Sequence, residues 1–294
     1  MAAQSFSLHE LAAQCVYSAM IAEKLALTAD VAARFESGEA VCEDAPVSAA
    51  PLPTEPGRPD RPRRVSPRNL PRRGLASSEG RAALIHAVAH IEFNAINLAW
   101  DAVSRFRGMP GDYYRDWVGV AVDEARHFTM LSRRLAELGH AYGDFDAHDG
   151  LWEMAVKTAD SCLARMALVP RVLEARGLDV TPGMIARLRA AGDDATAAIL
   201  EVILREEVAH VAAGSRWFVW CCEREGVDPQ ATFENLIQRY LRGTLRGPFN
   251  VQARLRAGFT EAEIAHLADA ERADRVLDVD RQGRSRKSSD ELAA

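Results

Sequence analysis

Two short patterns on this chain can do chemistry together, Glu124-Ala-Arg-His127 and Glu207-Val-Ala-His210. On an α-helix, residues three apart share a face, so each Glu-x-x-His sets a carboxylate beside an imidazole, a pair suited to one metal ion. The pattern alone is common. With 22 Glu and 8 His in 294 residues, chance supplies about 0.6 matches, and the chain has four. Glu137-Leu-Gly-His140 runs into a glycine at a predicted helix end, and Glu263-Ile-Ala-His266 lies in a polar C-terminal segment, so both read as coincidences. The other two are each preceded by a lone glutamate, Glu92 and Glu174, at intervals of 32 and 33 residues. The order Glu, Glu-x-x-His, Glu, Glu-x-x-His is the signal.

The helices that must carry these residues place them on apolar stripes. Ile85, Ala89, Glu92, Ile96, Ala99 and Val103 share a face, as do Val120, Glu124, His127, Leu131, Leu135 and Leu138. Leu163, Ala167, Pro170 and Glu174 line a third face, and Leu200, Ile203, Glu207, His210, Gly214, Trp217 and Cys221 a fourth. A carboxylate inside an apolar stripe is costly to bury without a cation, so six inward ligands, Glu92, Glu124, His127, Glu174, Glu207 and His210, point to metal.

Composition bounds the rest. A chain 48% hydrophobic and 27% charged, with net charge −6, suits one soluble domain with extensions and gives no global case for nucleic acid. Five cysteines without a CxxC pattern or an even framework fit a reducing cytoplasm. The N-terminus lacks a signal-peptide pattern, and no apolar run approaches the roughly 18 residues that span a bilayer, so no membrane is expected.

In chain order, residues 1–40 predict one helix or two short ones, and 41–76 a Pro/Arg-rich extended arm. Eight of 13 prolines and seven arginines fall between Ala45 and Arg73. The arm reads as a linker draped over the helices, with RNA contact through its arginines as the lesser alternative. Residues 77–226 form the main bundle, with helices over 79–107, 112–138, 151–176 and 193–225 and a short one over 182–191. An irregular stretch after Gly139 is a candidate crossover. Pro170 predicts a kink one turn before Glu174. Helical pieces over 229–242 and 260–270 belong to a C-terminal segment, 227–270, and 271–294 read as a disordered tail. His90 is expected as a hydrogen-bonded core histidine, and Tyr113, Tyr114, Tyr142, Trp152 and Trp217 as core aromatics.

Two antiparallel helix pairs, each with Glu then Glu-x-x-His, form the ligand arrangement of ferritin-like dinuclear carboxylate proteins. The segment from Ser77 to Leu267, with HIEFNAINLAW, VDEARHFTMLSRRLAELGHAYGDF, PRVLEARGLDVTPGM and REEVAHVAAGSRWF, resembles a bacterial family of ferritin-like proteins known as a domain of unknown function. The resemblance implies an all-α, ferritin-like four-helix bundle with a dinuclear site and no settled substrate. By analogy with that superfamily, Glu124 and Glu207 would bridge two ions, Glu92 and Glu174 would be terminal ligands, and His127 and His210 would bind one ion each. In related di-iron oxygenases an acid just before Glu-x-x-His holds the histidine of the opposite helix, a role that falls here to Asp123 and Glu206.

Carboxylates and imidazoles suit two Fe ions, with Mn/Mn or Mn/Fe as the alternative. The functions expected are an oxygen-activating oxidoreductase, an iron-handling ferroxidase, or a metal-stabilised bundle without catalysis. The first would use dioxygen, an external reductant and a small-molecule or modified-nucleoside substrate. The extensions at both ends disfavour cage storage.

Overall fold

The structure, a computed structural model, describes residues 5–42, 54–71, 73–241 and 247–272. The rest of the arm and the predicted tail from 273 onward lie outside the described residues. The chain is all-α apart from two two-residue strands, β1 (Phe6–Ser7) and β2 (Ala40–Val41), which pair in parallel. They flank α1 (Leu8–Tyr17) and α2 (Ile21–Glu36); then come α3 (Ser78–Arg105), α4 (Gly111–Glu137), α5 (Gly150–Lys157) and α6 (Cys162–Leu168). A π-helical turn (Val169–Glu174) leads into α7 (Ala175–Ala190), followed by α8 (Asp194–Glu225), α9 (Pro229–Tyr240) and α10 (Val251–Arg256). Residues 261–272 are helical, so the chain stays regular two residues into the predicted tail. The chain divides into two compact units, residues 1–165 with 181–206, and residues 166–180 with 207–294, with boundaries inside α6, α7 and α8.

In the first unit α3 packs along α4, and α1, α2 and α5 pack around that pair. The Ser77 hydroxyl caps α3 by accepting from the Gly80 amide at 3.0 Å. By length and hydropathy α3 is the one helix among the described residues that could cross a membrane, contrary to expectation, yet 72% of that apolar window is buried in the protein. Its burial is lined with polar pins. Lys24 Nζ donates to the Cys15 and Val16 carbonyls at the end of α1, and to Asn97 Oδ1 at 2.6 Å on α3. Trp100 Nε1 donates to Thr28 Oγ1 at 2.9 Å. The two Lys24–carbonyl bonds satisfy groups that the end of α1 leaves open.

The described part of the arm is a strap. The Val65 amide donates to the Ala147 carbonyl at 2.8 Å and the Ala147 amide to the Arg63 carbonyl at 3.0 Å, a parallel bridge centred on Arg64. Arg58 pairs with Asp149 at 2.8 Å, Arg63 with Asp146 at 2.6 Å, and Trp152 Nε1 donates to the Thr54 carbonyl. Gly57 is required there: a Cβ would lie 2.0 Å from the Tyr17 carbonyl oxygen.

The third predicted helix differs most. It breaks at Thr158–Ser161, where the Thr158 hydroxyl bonds the Met154 carbonyl and Arg165 Nη2 takes the Ala155 carbonyl, which closes α5. Pro170 sits in the π turn rather than at a simple kink. Gly177 does not stop the helix, and α7 runs through Pro182. Pro182 cannot bond the Leu178 carbonyl, which accepts from Asn250 Nδ2 at 3.1 Å instead.

Arg165 is the key to that break. Its guanidinium is buried and also donates to Asp101 Oδ2 at 2.6 Å and Thr158 Oγ1 at 2.8 Å. Removing one partner of a buried pair strands the other, so Arg165→Met should lower the urea unfolding free energy by about 3–5 kcal/mol. Arg115→Met, at an exposed pair with Asp112, should change it by less than about 0.5 kcal/mol. Equal effects in the two variants would refute the assignment.

Candidate metal centre

The first unit holds one Glu, Glu-x-x-His set. On α3 the residues Ile85, Ala89, Ile96, Ala99 and Val103 are buried with Glu92 among them, and on α4 Val120, Leu131 and Leu135 are buried with Glu124 and His127. Glu92, Glu124 and His127 each offer a ligand atom, all within 4.8 Å of one another. His127 Nδ1 lies 3.2 Å from Glu92 Oε2 and 3.5 Å from Glu124 Oε2. Its other nitrogen, Nε2, lies 2.7 Å from Glu206 Oε2 on the first half of α8. Arg134 donates to Thr196 and Asp193 further along. As α4 advances from 127 to 134, its partners on α8 retreat from 206 to 196, so the two run antiparallel.

Arg126 closes the outside of this arrangement, with Nη2 at 2.7 Å from both Glu206 Oε2 and Asp123 Oδ1. The sequence singled out Asp123 and Glu206 but passed over Arg126, although its place three residues after Asp123 is an ordinary helix pair spacing. Asp123 is half-exposed beside that arginine.

The charges explain the geometry. Burial raises the Glu92 pKa well above its ordinary 4.5, and the neighbouring Glu124 raises it further. Burial alone disfavours an imidazolium at His127, but hydrogen bonds to Glu124 and Glu92 outweigh it and push the pKa up to about 11. Burial would lift Glu206, yet His127 and Arg126 hold it below the usual carboxylate range. Two buried carboxylates thus recruit a cation, here the proton on His127. The donors suit a metal ion in the same place, and the cluster can hold one.

The second unit holds the other set. Glu174 ends the π turn; Glu207 and His210 stand one turn apart on α8, with Glu207 Oε1 3.4 Å from His210 Nδ1. All three are buried, as are Leu163, Ala167 and Pro170 before Glu174 and Leu200, Ile203, Gly214, Trp217 and Cys221 along α8. The remaining two Glu-x-x-His matches differ from each other. Glu137 is exposed and pairs with Arg134. Glu263 is buried against Arg171 at 2.8 Å, so its segment is not simply polar surface. His90 lies 2.9 Å from the Tyr142 hydroxyl and 3.1 Å from Asn94 Nδ2, a core histidine. The Tyr113 and Tyr114 hydroxyls donate to the Ala102 and Phe106 carbonyls.

This is therefore an all-α protein with a buried carboxylate–histidine group able to take a metal. Residues 17–265 match the family described as "Protein of unknown function (DUF455)", and the chain belongs to it. An uncharacterized protein of Haemophilus influenzae is 44% identical over 220 residues, covering 72% of this chain and 76% of that one. No solved structure matches the chain.

The metal-free cluster carries a pH signature. His127 keeps its extra proton in the folded state from its ordinary 6.5 up to about 11, whereas the unfolded chain has released it. Its stabilisation is complete below the unfolded value and is lost as pH rises toward the folded one. Glu92, also raised, has the same sign. Metal-free protein should lose up to about 1.4 kcal/mol of stability per pH unit for one such proton between pH ~7 and ~10. His127→Gln should remove the share of that slope due to the His127 proton and leave only the part due to Glu92. Urea denaturation of both proteins across the range measures it, and parallel slopes would contradict the charge assignment.

Proposed function

We propose that this chain is a dinuclear metal–carboxylate protein of ferritin-like architecture that activates dioxygen to oxidise a small organic substrate. Glu92, Glu124 and His127 would hold one ion, and Glu174, Glu207 and His210 the other. The observation that carries this reading is the buried Glu92–Glu124–His127 cluster with the far nitrogen of His127 held by Glu206. Glu207 is the next residue after Glu206, so the backbone of α8 joins the support of one set to a ligand of the other. Iron is the first candidate and manganese, alone or mixed, the second, because the donors are hard to borderline.

When bound, the ions supply the redox chemistry of dioxygen. The chain's own residues prepare for it. Glu206 accepts the Nε2 proton of His127, so that once the Nδ1 proton is released the Nδ1 lone pair would be free for an ion beside Glu92 and Glu124. Arg126 keeps Glu206 ionised and so keeps it an acceptor. Four carboxylates against two imidazoles give the site a charge that retains two divalent ions. Burial of all six donors excludes bulk water. The arm favours a small substrate over RNA, since Arg58 and Arg63 are already paired with Asp149 and Asp146.

Purified protein should carry close to two transition-metal ions per chain, and Glu124→Ala or His210→Ala should lower that strongly in elemental analysis. Glu206→Gln should weaken binding by about 10 to 100-fold. Full occupancy in both ligand variants would remove the site assignment. Anaerobic loading with excess Fe(II), then air and gel filtration, separates the functions. About two irons per chain with limited oxygen uptake, resumed on adding reductant, supports the oxidoreductase. Dozens of irons in a large assembly would make it a ferroxidase, and two ions without oxygen uptake a structural site.

A further inference from the structure

Arg171 is an arginine in an unusual place. It stands in the same π turn as Glu174, fully buried, with its guanidinium carbon 4.7, 4.4 and 4.5 Å from the ring centroids of Phe218, Phe233 and Phe259. Nη2 reaches Glu263 Oε1 at 2.8 Å, and Nε donates to Ser215 Oγ at 3.1 Å. Glu263 is fixed from its other side. Its Oε2 accepts from the Thr260 amide at 2.8 Å, while its own amide donates to Thr260 Oγ1 at 3.1 Å, the reciprocal bonds of a capping box at the start of helix 261–272. The residue before Arg171 is equally constrained: a Cβ on Gly214 would lie 2.4 Å from Pro170 Cγ, so only glycine lets α8 approach the turn this closely. Gly214 and Ser215 follow His210 by about one helical turn on α8.

A buried ion pair is a poor device for stability, because desolvation offsets most of its attraction. What it does well is select one geometry. The turn it fixes is irregular backbone that would otherwise have several ways to place Glu174. We propose that Arg171, held by Glu263 and Ser215, is a positioning residue that sets the Glu174 carboxylate for metal binding, so that the C-terminal helix 261–272 is part of the machinery of the metal centre. This rests on the reading that Glu174 is a ligand.

The test is Mn(II) binding to the full chain by equilibrium dialysis, with far-UV circular dichroism confirming folding. Glu263→Gln keeps the shape and removes the charge, and should weaken Mn(II) binding at the affected site by about 10 to 100-fold. Ser215→Ala, a milder variant that leaves the ion pair in place, should weaken it by a few-fold. In a Glu174→Ala background, Glu263→Gln should cost nothing further, because a positioning residue has nothing left to position; a general packing defect would add its full effect. Wild-type affinity in Glu263→Gln and Ser215→Ala, or an undiminished loss in the Glu174→Ala background, would overturn the inference and leave the metal reading standing. Wild-type binding by Glu174→Ala itself would overturn both.

Discussion

Two carboxylates lie side by side in the core, and most of the neighbouring chemistry answers that one constraint. Glu92 and Glu124 repel each other and are buried away from water, so a cation must stand between them. His127 supplies it by holding a proton and would yield its Nδ1 to a metal by releasing one. The charge does not stop there. His127 leans on Glu206, Glu206 on Arg126, and Arg126 on Asp123. Alternating sign leads from the core to the half-exposed surface, each member compensating the last.

The second unit has a different constraint, an irregular turn that carries a buried acid. Its irregular turn is fixed by an arginine enclosed in three phenylalanine rings and an acid that also caps a helix. Aromatic faces are partners that do not compete for the guanidinium's hydrogens, so the directional bonds to Glu263 and Ser215 alone decide its orientation.

Much of this was legible in the residues. The interval between each lone glutamate and its Glu-x-x-His, set against the 3.6-residue stripe, located most of the buried helix faces and the six acids and imidazoles named on them, all of which are buried. Asp101, a buried acid on α3, was not among them. Periodicity is a strong signal because it is repeated over seven or eight turns. The interruptions were not legible. The break at Thr158 depends on Arg165 reaching a carbonyl ten residues back, and the passage of α7 through Pro182 depends on Asn250 serving Leu178 from far along the chain. Gly177 as a helix stop and Pro182 as a fresh helix start are local signals overruled by distant partners. Glu263 was misread for a similar reason: its helix looks polar, and only the Arg171 across from it makes the acid a buried one. The Thr260-x-x-Glu263 cap was visible in the letters and was the clue available.

The strap imposes a chronology on the molecule. Arg63 and Asp146 are separated by 83 positions, whereas α3 and α4 are joined by a few residues and can zip together at once. Closing so long a loop is entropically unfavourable until its landing place exists. That landing place is the 144–152 segment, which is set only after α4 has ended and α5 has begun. During synthesis the arm emerges from the ribosome well before the 144–152 segment that Arg58 and Arg63 grip. It must wait, proline-stiffened and cationic, until α4 and the segment that follows it have been made, so its docking there follows the pairing of α3 with α4 rather than preceding it.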